Sequence, residues 1–168
     1  MTAFDDVLAE NRAYAAAFTD GELAPVAARG LAILTCMDSR IDPLRMLGLR
    51  KGDAKILRNA GARVTDDVLR TLVLACHLLG VDRVLVVPHT RCRMAETTED
   101  EIHEVIFERS GLDTRSLEFG TEPDQVAALR VDLRRIRSFP LLPAGLVVGG
   151  AVYDVATGAL DPVDLGDG

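Results

Sequence analysis

Short apolar runs alternate with amphipathic segments along this chain. The apolar runs have the length of β-strands and occur at Leu31–Cys36, Ala54–Leu57, Val84–Pro88 and Gly145–Asp154. Uninterrupted runs of this length are typical of strands that are buried on both faces in a parallel sheet. Segments with an apolar residue every three or four positions predict helices, and they span Phe4–Phe18, Thr65–Gly80 and Pro123–Ile136. The pattern therefore predicts an α/β protein with a central, mainly parallel β-sheet flanked by helices.

A further helix is indicated by its first residues. Thr98 and Glu101 have the spacing of a capping box, which satisfies the free N–H groups at a helix start. We expect this helix to leave His103 in solvent and to bury one apolar side, made of Ile102, Val105 and Ile106. The segment Leu112–Glu122 has no regular period and predicts an extended loop.

Metal-binding residue types follow two of the predicted strands. Cys36 ends the first apolar run and Asp38 comes just after it, while His89 and Cys92 follow the third run. The helix predicted over Thr65–Gly80 is long enough to connect two parallel strands, whose carboxyl ends then lie at one edge of the sheet. Two thiolates, an imidazole and a carboxylate form a tetrahedral set that suits zinc (Zn²⁺).

Composition narrows the class of protein. A chain of 168 residues with 48% hydrophobic content fits one domain over 1–168. The net charge of -7 argues against nucleic acid or an anionic membrane as partner. Three cysteines, two of them at the proposed metal site and Cys76 on an apolar helix stripe, do not form a disulfide framework. With no basic, apolar leader and no apolar run of membrane-spanning length, we expect a cytoplasmic protein.

The motifs resemble those of the β-class carbonic anhydrases. That family has Cys-x-Asp-x-Arg, which Cys36, Asp38 and Arg40 match here, and His-x-x-Cys, which His89 and Cys92 match. Its Arg-Asn-Ala-Gly turn matches Arg58-Asn59-Ala60-Gly61, and the order of the three motifs agrees. The resemblance covers about Leu31 to Tyr153 and is strongest to a compact bacterial and mycobacterial branch.

The resemblance implies a function and a ligand set. It implies zinc on Cys36, His89 and Cys92, and hydration of carbon dioxide to bicarbonate by a zinc-bound hydroxide. Asp38 either binds the zinc and closes the site, or pairs with Arg40 and leaves a position open; Asp38 and Arg40 are then the catalytic residues. The family also implies a homodimer or a dimer of dimers, with the helix in 1–22 packed on a partner subunit.

Two features of the sequence keep alternatives open. Plant-type members have a glutamine ahead of the first zinc cysteine, whereas the first glutamine here is Gln125. Arg93 stands where glycine is common in the family, and it lies close to Arg91. At a helix N-terminus the two arginines would attract anions such as bicarbonate or narrow the entrance to the site; the alternative is that both point to solvent. The alternatives are hydrolysis of carbonyl sulfide or carbon disulfide, or a non-catalytic protein that binds zinc and bicarbonate. Candidate pocket residues are Ser39, Asn59, Ala60, Gly61, Arg91 and Arg93.

Overall fold

The protein is a five-stranded sheet with helices around it. The structure is a computed structural model, and it describes residues 2–164. Within them the strands are β1 Leu31–Cys36, β2 Ala54–Asn59, β3 Arg83–Val87, β4 Val147–Tyr153 and β5 Leu160–Pro162. The α-helices of the same part are α1 Asp5–Ala16, α2 Asp66–Leu78, α3 Glu99–Ser110 and α4 Gln125–Arg137. No helix between residues 2 and 164 is long and apolar enough to cross a membrane.

The strand order is β2-β1-β3-β4-β5, and the first four strands are parallel. The predicted fold class is confirmed, and β1 has the bounds that the apolar run predicted. β2 continues two residues beyond the predicted Leu57, to Asn59, because every one of its residues pairs with β1. β5 was not predicted; it is a three-residue antiparallel strand after the turn that follows β4.

The larger hydrophobic cluster lies on one face of the sheet, beneath α2 and α4. Alternate residues of the central strands point to this face, as a strand's two-residue period requires; they include Ala32, Leu34, Val84, Val86 and Val148. α2 and α4 cover them with apolar stripes that were predicted from the sequence. Gly150 permits the close approach of α4, because a Cβ there would lie 2.8 Å from Leu133 Cδ1. This packing fixes the sheet whose edge carries the candidate site.

α1 buries none of its residues on its own subunit. Phe4 is 66% exposed, and Val7 and Leu8 are also exposed. Contact with the rest of the subunit is made through Lys51, whose Nζ donates to Tyr14 Oη at 2.6 Å and to an Asp20 carboxylate oxygen at 2.7 Å. The helix is therefore anchored at its carboxyl end while its apolar residues face outward.

α3 differs from its prediction in two respects. Its capping box is formed, with Thr98 and Glu101 bonded reciprocally. The predicted buried side is wrong, because Val105 is exposed, Ile102 and Ile106 are half-buried, and no residue of the helix is fully buried. His103 is not in open solvent either, because the loop over 112–122 folds back on it. His103 Nδ1 lies 2.9 Å from Thr114 Oγ1, and its ring packs against that of Phe119 in a tilted arrangement.

Candidate metal centre

The site lies where two neighbouring parallel strands end. β1 ends at Cys36, and His89 follows β3 by two residues, with Thr35 and Val87 in register between the strands. The chain leaves β1 towards β2 on one side and returns to β3 on the other, so β1 and β3 flank a topological switch point. Open α/β sheets form their ligand crevice at such a point, because the connections diverge there. The two motifs thus lie at the position where folds of this kind place their ligand crevice.

Three of the four predicted metal ligands come together in this crevice. The ligand atoms of Cys36, His89 and Cys92 all lie within 4.8 Å of one another, and all three residues are buried. Cys92 reaches the crevice because residues 93–96 form a turn in which Ala95 and Glu96 donate N–H groups to the Cys92 carbonyl. Two sulphurs and one imidazole nitrogen at this spacing match the donor set of a zinc site with one open position.

His89 supplies a direct test of whether the site fits a metal. Its side chain is fully buried, and Nδ1 lies 2.9 Å from the Thr90 carbonyl oxygen. A carbonyl only accepts, so Nδ1 carries the proton and Nε2 keeps its lone pair. Among the side chains of residues 2–164, Nε2 is the buried nitrogen or oxygen left without a hydrogen-bond partner. A buried lone pair without a partner is costly, and a metal ion in the crevice satisfies it.

Both cysteine sulphurs are placed among backbone N–H groups. Gly61 N lies 3.4 Å from Cys36 Sγ and its N–H donates to that sulphur. The Cys92 thiol beside Cys36, assisted by this N–H, lowers the pKa of Cys36 to about 3. Cys92 donates its thiol proton to Cys36, and this hydrogen bond raises the pKa of Cys92, although the N–H groups of Met94 and Ala95 act in the opposite direction. The environment thus favours negative charge at the Cys36 sulphur, and the thiolate is the form of cysteine that binds a metal.

Asp38 lies beside the three ligands but is held by Arg40. Arg40 Nε donates to Asp38 Oδ1 at 2.9 Å and Nη2 to Oδ2 at 2.7 Å, and the backbone N–H of Arg40 also donates to Oδ1 at 2.9 Å. The Arg40 guanidinium holds the pKa of Asp38 well below its usual range. Asp38 Oδ2 remains 3.8 Å from His89 Nε2. The structure therefore shows the paired arrangement of Asp38 and not a fourth protein ligand.

Arg40 is itself anchored by a strained residue. Its Nη2 donates to the Arg91 carbonyl at 2.9 Å. Arg91 has φ of 54°, in the left-handed region that is unfavourable for a residue with a Cβ. This backbone conformation belongs to the turn between His89 and Cys92, so the turn that positions the two ligands also positions the guanidinium.

The Arg-Asn-Ala-Gly segment supports the site with its side chains directed at the backbone. Arg58 Nε donates to the Cys36 carbonyl at 2.9 Å and Nη2 to the Asp38 carbonyl at 2.6 Å. The Asn59 amide is used within its own turn, bonded to the N–H and carbonyl of Arg63. Ala60 is half-buried and lines an open groove beside Asn59 and Phe119.

The other pocket candidates lie at the surface. Ser39, Arg91 and Arg93 are exposed. No helix begins at Arg93: residues 93–97 form turns and bends, and α3 begins at Glu99, as its capping box predicted. An anion at Arg91 and Arg93 would therefore meet no helix N-terminus.

Sequence reasoning missed the supporting residues Arg63 and Asp132. Asp132 lies on the apolar stripe of α4 with only 4% of its surface exposed, and it pairs with Arg63. A carboxylate in the middle of an otherwise apolar stripe, between Leu129 and Leu133, is the signal that identifies such a pair from sequence.

Comparison with known proteins agrees with this geometry. The family profile described as Carbonic anhydrase matches residues 31–119. Beta-carbonic anhydrase 1 of Mycobacterium tuberculosis is 42% identical, covering 97% of this chain and 99% of the relative. A carbon disulfide hydrolase of Acidithiobacillus thiooxidans is 30% identical, covering 80% of this chain and 77% of the relative. The crystal structure of carbonic anhydrase from Streptococcus mutans superposes with a TM-score of 0.91 at 37% identity, covering 98% of this chain and 99% of that one.

Proposed function

The chain belongs to the β-carbonic anhydrase family, and from this premise we propose that it binds one zinc ion and catalyses the reversible hydration of carbon dioxide to bicarbonate. The ligands are Cys36, His89 and Cys92. The observation that carries the proposal is the fully buried His89 Nε2, which has no hydrogen-bond partner in residues 2–164 and faces two cysteine sulphurs within 4.8 Å. Thiolates and imidazole select zinc over harder cations such as magnesium.

The chemistry divides between the ion and the chain. Zinc, when bound, supplies a Lewis acid that lowers the pKa of a water molecule in its open position. With zinc bound, Asp38 would accept a hydrogen bond from that water and orient it towards carbon dioxide. Because Arg40 keeps the pKa of Asp38 well below its usual range, Asp38 stays a carboxylate at neutral pH and acts as an acceptor only.

Arg40 keeps Asp38 in the catalytic position. Two charge-assisted hydrogen bonds of 2.9 and 2.7 Å hold the carboxylate in a fixed plane, and the bond to the Arg91 carbonyl fixes the guanidinium. Arg58 acts one step further away, since it holds the carbonyl groups of the two residues that carry the Cys36 thiolate and the Asp38 carboxylate. These contacts leave the metal's open position to water.

Activity is expected to increase with pH. Two thiolates donate more charge than histidines do, so they lower the pKa of the bound water less than a three-histidine site does. Asp38 contributes little to this dependence, because its pKa is lowered and it is ionised throughout the neutral range. We expect clearly higher carbon dioxide hydration at about pH 9 than at about pH 6; equal rates at both would contradict the proposed site.

The decisive experiment joins metal analysis to stopped-flow hydration of carbon dioxide. Parent protein purified without chelators should contain one zinc per chain and hydrate carbon dioxide, whereas Cys36→Ser and His89→Ala should lose both zinc and activity. Cys76→Ala is the matched control, since Cys76 is a half-buried thiol on α2 with its pKa raised by burial. A zinc-free parent, or a Cys76 variant that loses zinc equally, would rule the proposal out.

Carbon disulfide or carbonyl sulfide is the second candidate substrate. The observation in its favour is the 30% identical relative named carbon disulfide hydrolase. These molecules are isosteres of carbon dioxide and are attacked at carbon by the same activated water. The substrate is assigned by measuring sulfide release from each molecule and hydration of carbon dioxide on one enzyme preparation. If kcat/KM for sulfide release exceeds kcat/KM for hydration, carbon disulfide or carbonyl sulfide is the substrate in place of carbon dioxide.

We also propose that the chain is one domain over 1–168 and assembles as a homodimer through α1. Phe4, Val7 and Leu8 form an exposed apolar surface, and α1 buries no residue on its own subunit. Apolar side chains grouped in this way on a helix are unfavourable in water and are covered by a partner. Lys51 holds the helix at Tyr14 and Asp20, so the surface is presented in a fixed direction.

A further inference from the structure

An ion pair between Asp132 and Arg63 lies two residues along the chain from Gly61, whose N–H donates to Cys36 Sγ. Asp132 of α4 is 4% exposed. Its Oδ2 accepts from Arg63 Nε at 2.8 Å and from the backbone N–H of Val64 at 3.1 Å. A buried carboxylate is costly unless it is paired and hydrogen-bonded, and here both conditions are met. The pair joins α4 to the segment between β2 and α2, which Arg135 of α4 also contacts by donating to the Val64 carbonyl.

The segment that Asp132 holds is the turn between β2 and α2. Asn59 begins the turn and bonds Arg63 twice: its Oδ1 accepts the Arg63 N–H at 2.9 Å, and its Nδ2 donates to the Arg63 carbonyl at 2.7 Å. The turn is therefore closed by Asn59 at one end and held by Asp132 at the other. Arg63 Nη1 also donates to the Gly120 carbonyl at 3.4 Å, which ties in the loop over 112–122.

The backbone within this turn does not adopt its conformation without support. Gly61 has φ of 75° and Ala62 has φ of 59°. Glycine adopts the left-handed region freely, but alanine does so at a cost of about 1 kcal/mol or more because its Cβ approaches the carbonyl oxygen. Ala62 is buried, and the bonds on either side of it, from Asn59 and from Asp132, keep the conformation in place.

The strained turn delivers one group to the metal site. The Gly61 N–H points at Cys36 Sγ, at 3.4 Å. A side chain at position 61 would crowd the turn beside Cys36, because its Cβ would lie 3.3 Å from Met94 Cβ. The N–H donor removes charge from the sulphur and fixes its direction, and both effects govern how strongly a thiolate holds a metal.

We propose that Asp132 is a positioning residue for the metal site: through Arg63 and Val64 it fixes the turn over 60–62, so that the Gly61 N–H donates to the Cys36 thiolate. The inference deepens the proposed function and rests on the proposed metal site. Asp132 acts on the metal site only through the turn, because its carboxylate bonds Arg63 and Val64, and it is the Gly61 N–H that contacts the sulphur.

The test uses cobalt(II) in place of zinc, since cobalt–thiolate charge-transfer bands report the ligand sulphurs directly. In Asp132→Asn, the new amide still accepts the Val64 N–H but no longer pairs with the Arg63 charge. A second variant, Asp132→Asn with Arg63→Met, removes both charges, so the half-buried, unpaired guanidinium that destabilises the single variant is gone. Asp67→Asn is the control, because Asp67 pairs with Arg70 on the exposed face of α2.

We measure the charge-transfer band, the rate of metal transfer to a chelator and the urea midpoint. We expect about 10-fold faster metal release and a shifted band in both Asp132 variants, the lower end of what outer-sphere partners contribute, with the urea midpoint recovered in the double variant. Metal release that recovers together with stability, or that never changes, would overturn the positioning role. A parent that binds no cobalt or zinc would instead refute the proposed function, so the two failures are distinguishable.

Discussion

Removing the Arg40 side chain is the most direct test of how the site is kept open. In the parent, three N–H groups of Arg40 hold Asp38, two from the guanidinium and one from the backbone. Arg40→Ala leaves only the backbone donor. The freed carboxylate then has the metal as its best remaining partner, so the variant should keep its zinc and lose activity.

Asp38 must move to become a ligand of a metal bound by Cys36, His89 and Cys92. Two ligand atoms on a tetrahedral zinc with bonds near 2.1 Å are about 3.4 Å apart. Asp38 Oδ2 is already 3.8 Å from His89 Nε2. That distance would have to shorten by about half an ångström, and the carboxylate would also have to approach the sulphurs, because Asp38 lies outside the group of ligand atoms that are all within 4.8 Å of one another. From the effect of outer-sphere partners on metal sites, we expect kcat/KM for carbon dioxide to fall about 10- to 100-fold in Arg40→Ala.

The chain offers a matched control for this substitution. Arg115 binds Asp113 with the same two-residue spacing and the same three donors, at 2.9 Å from Nε, 2.6 Å from Nη2 and 3.1 Å from the backbone. The Asp113–Arg115 pair lies on an exposed loop and contacts none of the candidate ligands. Arg115→Ala should therefore leave kcat/KM within about twofold of the parent, as surface ion pairs contribute little.

Two readouts accompany the rates. Zinc content should remain one per chain in Arg40→Ala, and the cobalt-substituted variant should show an altered visible spectrum as a carboxylate replaces water. Unchanged turnover in Arg40→Ala, with the parent spectrum, would refute the role assigned to the pair. Loss of zinc from the variant would show instead that Arg40 supports the ligands and not the open position.

Three further predictions concern assembly, the loop and the metal. Leu8→Asp should convert a dimer to a monomer by light scattering while Leu112→Asp, also at an exposed apolar residue, should not; a monomeric parent would contradict the interface. Glu99 accepts the N–H groups of Phe119 and Thr121, which lower its pKa from the ordinary 4.5. This stabilisation is therefore present above that value and lost as the pH falls below it. The protection factors of the two amides against hydrogen exchange should fall in acid, and at neutral pH in Glu99→Gln; protection factors in that variant equal to those of the parent would disprove the role of Glu99. Removal of the metal with a chelator should lower the midpoint of thermal unfolding, because the buried imidazole of His89 loses its partner. An unchanged midpoint in protein that metal analysis shows to be free of zinc would count against the site.

Much of the fold follows from local patterns in the sequence. β1 needed no tertiary information, because an apolar run that ends at a thiol and a carboxylate has the length and composition of a buried strand. The start of α3 was equally local, since the Thr98 and Glu101 side chains bond the backbone of their own turn. The positions of the cysteine and histidine motifs at strand ends follow from the same periodicity, which is why the crevice was expected at that edge.

Other features depend on groups that are distant in the sequence. The face of α3 that was expected to be buried is partly exposed. A helical pattern does not state which surface packs against its apolar side, and in the described part of this subunit no apolar layer covers that side of α3. The pairing of Asp132 with Arg63 spans 69 positions, and no short-range rule connects a carboxylate on one helix with a guanidinium on a turn.

The state of Asp38 shows where the two kinds of information divide. The sequence determined its two partners, since a carboxylate two residues from a cysteine and two from an arginine can reach a metal or a guanidinium. The tertiary structure decided between them: the left-handed turn at Arg91 directs a carbonyl at Arg40, which fixes the guanidinium against Asp38. That contact joins the ends of β1 and β3, so it exists only after the two strands have paired and brought residues 51 positions apart into hydrogen-bonding distance.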